Sequence, residues 1–269
     1  MNASLVSLLL VVAASPSPQP LAWEAVCDTP AGHTPQGMAF IDGQLLVSAY
    51  RGRDEKCSVF RLNDTDGRHS FCKLFDMPAD AVHTGGLSPV PGRPDLLFAV
   101  DYRSRDLYLI DVPASVRCGT ARVLALQPTD MRGPSACCVV ERCDGRNVVI
   151  VTDFLLVRAG KVAFFDYDLS SNPPTIRSNG RLPEFTGTRF SQGIKSSGDC
   201  LIESASRVRG RSFVVRYSLA DALRDGKASP TRTWHGPADR IEDIAVGDGF
   251  LWTTDEDENR LYRAPFPGE

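Results

Sequence analysis

The sequence predicts an all-β fold, a five-bladed β-propeller closed by an N-terminal strand, and three observations predict it. First, apolar runs at 45–50 (LLVSAY), 97–102 (LFAVDY) and 149–154 (VIVTDF) end on Tyr50, Tyr102 and Phe154, at steps of about 52 residues. The runs at 201–205 (LIESA) and 251–255 (LWTTD) keep the beat. A repeat near 50 residues made of strands and turns marks a propeller, because one four-stranded sheet cannot bury both faces without flanking copies. Second, each run follows a short strand and a Gly-containing turn, the chemistry a tight hairpin requires. Third, the last unit stops before a fourth strand, while residues 21–27 read as a lone strand ahead of the first unit.

The elements follow in chain order. Residues 1–20 read as a leader: 5–14 are apolar, Ala13, Ala14 and Ser15 are small, and a Pro-rich stretch follows, the pattern of a secretory signal and its cleavage zone. Residues 21–269 then form one domain. The inner strands begin at Gln36, Gly85, Ser135, Gln192 and Glu242, and the turns fall at 42–43, 91–92, 144–145, 197–198 and 248–249. Alternating third strands lie at 58–62, 107–112, 161–165, 212–217 and 260–264, and edge strands such as 70–74 follow the first four. Residues 218–224 read as a short helix behind an N-cap serine. Docking residues 21–27 on the last unit would complete five blades and remove an exposed sheet edge.

Composition narrows the function. A net charge of −3 argues against a nucleic-acid binder, and no run reaches the roughly 20 apolar residues of a membrane span. A secreted monomer is expected. Eight cysteines, an even number, suit an oxidising compartment. Cys57 and Cys72 flank residues 63–66 symmetrically, which predicts a disulfide across a hairpin, and Cys118 with Cys143 form a second expected pair on one face of neighbouring blades. Cys137 and Cys138 should point to opposite sides of one strand. Asn63-Asp64-Thr65 is a glycosylation sequon at an expected turn.

Ligands of propellers sit over the central channel. The candidate ligand-binding residues are therefore Gln36 and Gln192 on inner strands, His33 and His83 just before them, and Tyr50, Arg51, Tyr102 and Arg103 in the second-to-third links. Arginines at this mouth suit a small anionic ligand, since a guanidinium binds carboxylate or phosphate with two hydrogen bonds. Ser135, Glu242 and Asp243 add inner-strand polar groups. A carboxylate beside amides suits a hard divalent cation such as Ca²⁺, or serves as a general base once desolvated. No G-x-S-x-G, H-E-x-x-H or phosphate-binding glycine loop occurs.

Three resemblances rest on these motifs. The Gln-Gly or Glu inner strand, Asp-Gly turn, apolar strand and Leu-Tyr-type third strand resemble the gluconolactonase and senescence-marker-protein superfamily. That resemblance implies lactone or ester hydrolysis with a divalent metal on an inner-strand carboxylate, here Glu242 or Asp243. Residues 190–194 (FSQGI), 201–205 (LIESA) and 210–212 (GRS) are similar to the plant and bacterial type of glutaminyl cyclase, which implies Glu203 as acid/base and Gln192 as a binding residue. Residues 240–245 (RIEDIA) resemble secreted fungal propellers that steer cyclisations. Two readings stay open: a hydrolase- or lactonase-like enzyme, and a non-catalytic module that recognises a glycan or protein through its arginine rim.

Overall fold

A computed structural model describes residues 17–52, 56–142, 145–154, 161–180, 185–186, 190–206, 211–225 and 230–267. Strand β1 (Glu24–Asp28) comes first. Blade one is β2 (Thr34–Ile41), β3 (Gln44–Tyr50), β4 (Cys57–Thr65) and β5 (Arg68–Asp76). Blade two is β6 (Thr84–Val90), β7 (Arg93–Asp101), β8 (Asp106–Asp111), helix α1 (Val112–Cys118) and β9 (Arg122–Pro128). Blade three is β10 (Pro134–Glu141), β11 (Asn147–Asp153), β12 (Lys161–Asp168) and β13 (Thr175–Ser178), with the two-residue β14 (Phe185–Thr186) also on β12. Blade four is β15 (Ser191–Ser197), β16 (Cys200–Ala205), β17 (Phe213–Ser218), helix α2 (Leu219–Asp225) and β18 (Pro230–His235). Blade five has β19 (Ile241–Gly247), β20 (Phe250–Asp255) and β21 (Arg260–Pro265), with β1 antiparallel to β21 as its outer strand.

The expected closure is therefore present, and it is doubled. Ahead of β1, Gln19 lies parallel to Trp234 on β18, its amide donating to the Thr233 carbonyl and its carbonyl accepting from the His235 amide, each at 2.9 Å. Trp23 Nε1 donates to the His235 carbonyl at 2.8 Å. The segment thus crosses from blade four to blade five and ties both. Gln19, read from sequence as leader, already belongs to the fold; residues 1–16 lie outside the described residues.

Period-two alternation builds the core. On β11, Val149 and Val151 enter the seam with blade two, and Val148 and Ile150 the seam with blade four. Each of the five seams holds its own apolar cluster, so every blade is buried on both faces by its neighbours. Cys137 and Cys138 divide between two seams in the same way, as expected.

Each inner strand carries a bulge at its first residues: within 35–38, 84–86, 134–136, 191–193 and 241–244. A bulge sets two successive side chains toward one side. Two stacked rings result. The upper is Gln36, Gly85, Ser135, Gln192 and Glu242; the lower is Gly37, Gly86, Ala136, Gly193 and Asp243. The lower ring has almost no room. A Cβ on Gly86 would strike the Ala136 and Cys137 backbone of the next blade, and one on Gly193 would strike Asp243. Asp243 fills the space left. Its carboxylate accepts from Lys195 Nζ at 2.7 Å on both oxygens, from the Met38 amide at 2.8 Å and from the Ile244 amide at 2.8 Å. Both side chains of the pair are buried, so an ion pair plugs the channel under the upper ring.

Several expectations are corrected. Cys57 and Cys72 are not opposite each other. The two-residue turn is Asp66-Gly67, so Cys72 faces Arg61 and Cys57 faces Tyr50 at the far end of β4. The hairpin centre lies two residues beyond the one assumed, and this separates the two sulfurs. Cys57, Cys72 and Cys118 are free thiols, and no disulfide occurs among the described residues; Cys143 lies outside them. Asn63 of the sequon sits in β4, where its side-chain oxygen accepts from Arg61 Nε at 3.1 Å, rather than on a turn tip. Helix α2 falls within a residue of its expected start. Helix α1 was not expected, although its signals are present: the Asp111 side chain caps it, Pro113 stands in its first turn and Gly119 ends it with positive φ.

The channel plug is testable. Lys195→Met leaves a buried, unpaired Asp243 charge and should cost about 3–5 kcal/mol in urea unfolding. Lys195→Met combined with Asp243→Asn removes both charges and should cost much less. A single variant as stable as the double would show that the pair is not the buried contact described.

Candidate functional site

Above the plug, the upper ring floors a cavity of about 230 Å³. Its lining is Gln36, Gly85, Ser135, Gln192 and Glu242 from the floor, His83 and Arg240 from the loops leading into the inner strands, and Tyr102, Phe154 and Glu256 from the second-to-third links. The repeat explains the walls. Tyr102, Phe154 and Glu256 each follow the aspartate that ends a second strand: Asp101, Asp153 and Asp255. Those aspartates accept backbone amides around the mouth, and Asp101 and Asp255 fold their own links in this way. Asp101 accepts from the amides of Arg103 and Ser104 at 2.8 and 2.9 Å and from the His83 amide at 2.7 Å. Asp153 accepts from Gly133 N at 2.8 Å, and Asp255 from the amides of Asp257 and Glu258 at 3.1 Å.

The structure brings together six of the expected residues: Gln36, His83, Tyr102, Ser135, Gln192 and Glu242. Tyr50 stands behind them, its ring stacked on His83 at 4.8 Å and 27°. The Tyr102 ring is tilted against the same imidazole at 5.3 Å and 45°. The other expectations are displaced. His33 stands one residue ahead of Thr34, the structural counterpart of His83. That single step turns its ring against Phe60 at 5.0 Å and keeps it out of the cavity. Arg51 and Arg103 are exposed on the rim and outside the lining, although the Arg103 charge reaches His83. Glu203 is buried in the second strand of blade four, accepts from the Tyr217 hydroxyl at 2.8 Å and lies outside the lining. Asp243 faces Lys195 below the floor instead of the cavity.

Sequence reasoning passed over Phe154 as a wall and the pairing of Arg240 with Glu256. Glu256 stands in the blade-five link 255–258 (DEDE), which is acidic where the links of blades one and two carry arginines. Counting each link from the aspartate that closes its second strand would have aligned Glu256 with Tyr102 and Phe154.

Two groups in the cavity are perturbed. Burial raises the Glu242 carboxyl well above its ordinary value, and the adjacent Glu256 charge and hydrogen bond add to the rise, while Arg240 opposes it. Glu242 thus holds its proton to higher pH than an exposed carboxyl does. Arg240 holds the second carboxylate, with Nη2 at 3.4 Å from Glu256 Oε2 and Nη1 donating to Asp257 Oδ1 at 3.0 Å. Gln192 Nε2 donates to Glu242 Oε1 at 3.4 Å. Glu242 and Glu256 thus bring two carboxyls into one cavity, with Arg240 beside the second, an arrangement suited to acid–base chemistry.

A resident divalent cation does not fit this donor set. Glu256 lies against Arg240, and Asp243 is committed to Lys195. Among the described residues no group of three His, Cys, Asp or Glu side chains converges as a metal site.

The comparisons agree with the architecture. No protein-family model matches the chain, and no curated protein sequence matches it. Among solved structures it is similar to the PQQ-bound form of an aldose sugar dehydrogenase from Streptomyces coelicolor, at 14% identity and a TM-score of 0.52 over 94% of this chain and 84% of that one. It is also similar to a gluconolactonase from Xanthomonas campestris, at 18% identity and a TM-score of 0.50 over 96% of this chain and 90% of that one. At such identities the likeness establishes the propeller fold alone. The chain has five blades, and no described helix is long and apolar enough to cross a membrane.

His83 supplies a test of this geometry. Burial first, and then the Arg103 charge, push its imidazole from 6.5 down to about 4. Between those values the unfolded chain binds a proton that the folded chain refuses. The stability His83 contributes is thus complete above pH 6.5 and is lost as pH falls toward 4. The stability gap between the native chain and His83→Gln in urea unfolding should be wider near pH 7 than near pH 4.5. In NMR the ring should still be neutral near pH 5.5; a midpoint near its ordinary value would contradict a buried, stacked ring.

Proposed function

We propose that this propeller is a hydrolase-like enzyme acting on a small ester or lactone in the channel-mouth cavity. The observation that carries the reading is the pair of carboxyls in one cavity, Glu242 on the floor beside Gln192 and Glu256 on the wall beside Arg240. The gluconolactonase of similar fold is in keeping with it.

The chemistry follows from the two protonation states. A water molecule attacks the acyl carbon while ionised Glu256 takes its proton. Protonated Glu242 gives its proton to the carbonyl oxygen, so no charge builds up on that oxygen in a poorly solvated site. The tetrahedral adduct then collapses and the acyl C–O bond breaks. Glu256 returns its proton to the leaving oxygen, and Glu242 regains one from the adduct hydroxyl. The products are an acid and an alcohol, or one hydroxy acid from a lactone, and both carboxyls are reset. Arg240, 3.4 Å from Glu256 Oε2, holds that carboxylate in place for the first step.

The test is a screen of small esters and lactones with purified protein, followed by Glu242→Gln and Glu256→Gln. Each substitution keeps side-chain size and should lower kcat/KM by at least about a hundredfold while leaving thermal stability near that of the parent. Turnover should fall as pH rises through the raised titration of Glu242, because the acid must hold its proton. It should persist in EDTA, since the donor set does not suit a divalent ion. Dependence on Ca²⁺ or another divalent ion, or retention of full activity by Glu242→Gln, would overturn the assignment. In either case the arginine rim, tested by Arg51→Ala with Arg103→Ala, becomes the alternative site.

A further inference from the structure

The cavity is polar on one side and apolar on the other, and the blade order explains why. In a five-membered ring, blade five stands opposite the seam between blades two and three. Blade five contributes Glu242, Arg240 and Glu256, and its two neighbours contribute amides, Gln36 from blade one and Gln192 from blade four. The far arc is different. Blade two contributes Gly85 and Tyr102, and blade three Phe154 and Ser135. The Ser135 hydroxyl is already engaged with Thr152 Oγ1 at 3.1 Å. Tyr50 stacks on the His83 ring and Tyr102 lies tilted against it, which leaves little of the imidazole to meet a ligand. The far arc thus offers two aromatic rings and a glycine gap, with the Tyr102 phenol, the Ser135 hydroxyl and part of the imidazole as its few polar points.

We infer that the site takes an uncharged ester or lactone bearing one flat apolar group, such as an aryl ring, with that group between Tyr102 and Phe154 over Gly85 and the acyl carbon toward Glu242. This rests on the hydrolase reading and narrows it. A flat apolar group buries its faces against the aromatic arc at no polar cost. A polyhydroxylated ring suits the arrangement poorly, because its hydroxyls point outward all round. Those on the far arc would lose water and find few partners there, the Tyr102 phenol, the Ser135 hydroxyl and the His83 ring, and a buried hydroxyl left unpaired is strongly disfavoured. Gly85 keeps the gap open, since a Cβ there would run into the Ser135 backbone carbonyl.

The experiment separates this inference from the reading beneath it. Binding is measured by calorimetry or NMR with acetanilide, an aryl amide with the outline of an aryl ester but resistant to hydrolysis, and with glucose as the polyol. Turnover is measured with dihydrocoumarin and phenyl acetate against glucono-1,5-lactone. Acetanilide should bind, and Phe154→Ala should weaken it about tenfold or more, with Phe154→Leu in between. In kcat/KM, dihydrocoumarin should exceed glucono-1,5-lactone by about tenfold or more. Acetanilide binding without turnover of any ester supports the aryl site and overturns the hydrolase. Preference for glucono-1,5-lactone, or glucose binding where acetanilide does not bind, overturns the inference. Should Phe154→Ala fail to fold, Tyr102→Leu in the native background carries the same expectation for acetanilide.

Discussion

The ring depends on the pairing of β1 with β21. A propeller blade has no stability of its own, because each sheet needs a neighbour on both faces. Without β1 the fifth blade would end on an open edge, and its seam with blade one would lose Val26 and Cys27. The closing segment does more than fill an edge. Gln19 and Trp23 bond to blade four before β1 reaches blade five, so one stretch of chain ties two wedges at the point where the ring would otherwise open.

Closure fixes how close the inner strands come at the axis. They are near enough that four of the five lower-ring positions hold glycine or alanine, and the remaining space takes one carboxylate and the ammonium that neutralises it. A charge pair out of water is a poor source of stability against an apolar alternative. Here it also satisfies backbone amides of two blades, Met38 and Ile244, which an apolar side chain would leave unpartnered. The plug gives the cavity a floor. Five bulges, each at the start of an inner strand, then turn the upper-ring side chains into the space above it.

Five repeats could have produced a symmetric funnel. Substitution at equivalent positions breaks the symmetry and makes the site. Where blades two and three carry Tyr102 and Phe154, blade five carries Glu256; where blade two carries His83, blade five carries Arg240. The charges therefore gather on one blade and the aromatic rings on the two opposite, and burial raises the Glu242 carboxyl beside Glu256.

The sequence by itself determined the strand order, the five-fold repeat, the closing strand and most of the upper ring. Alternation of period two and Asp-Gly turns are local signals, and each is readable without knowledge of what lies across the seam. Tertiary structure decided which of two adjacent inner residues entered the cavity, because a bulge is a mismatch between strands and leaves no mark in one of them. It therefore separated Glu242 from Asp243, and a one-residue offset separated His33 from His83. It also decided the cysteines: the symmetry of Cys57 and Cys72 was measured about the wrong turn, and only the observed register places Cys72 against Arg61. Whether two residues meet is fixed by pairing across strands and by the distance between blades, and neither is written in the order of the chain.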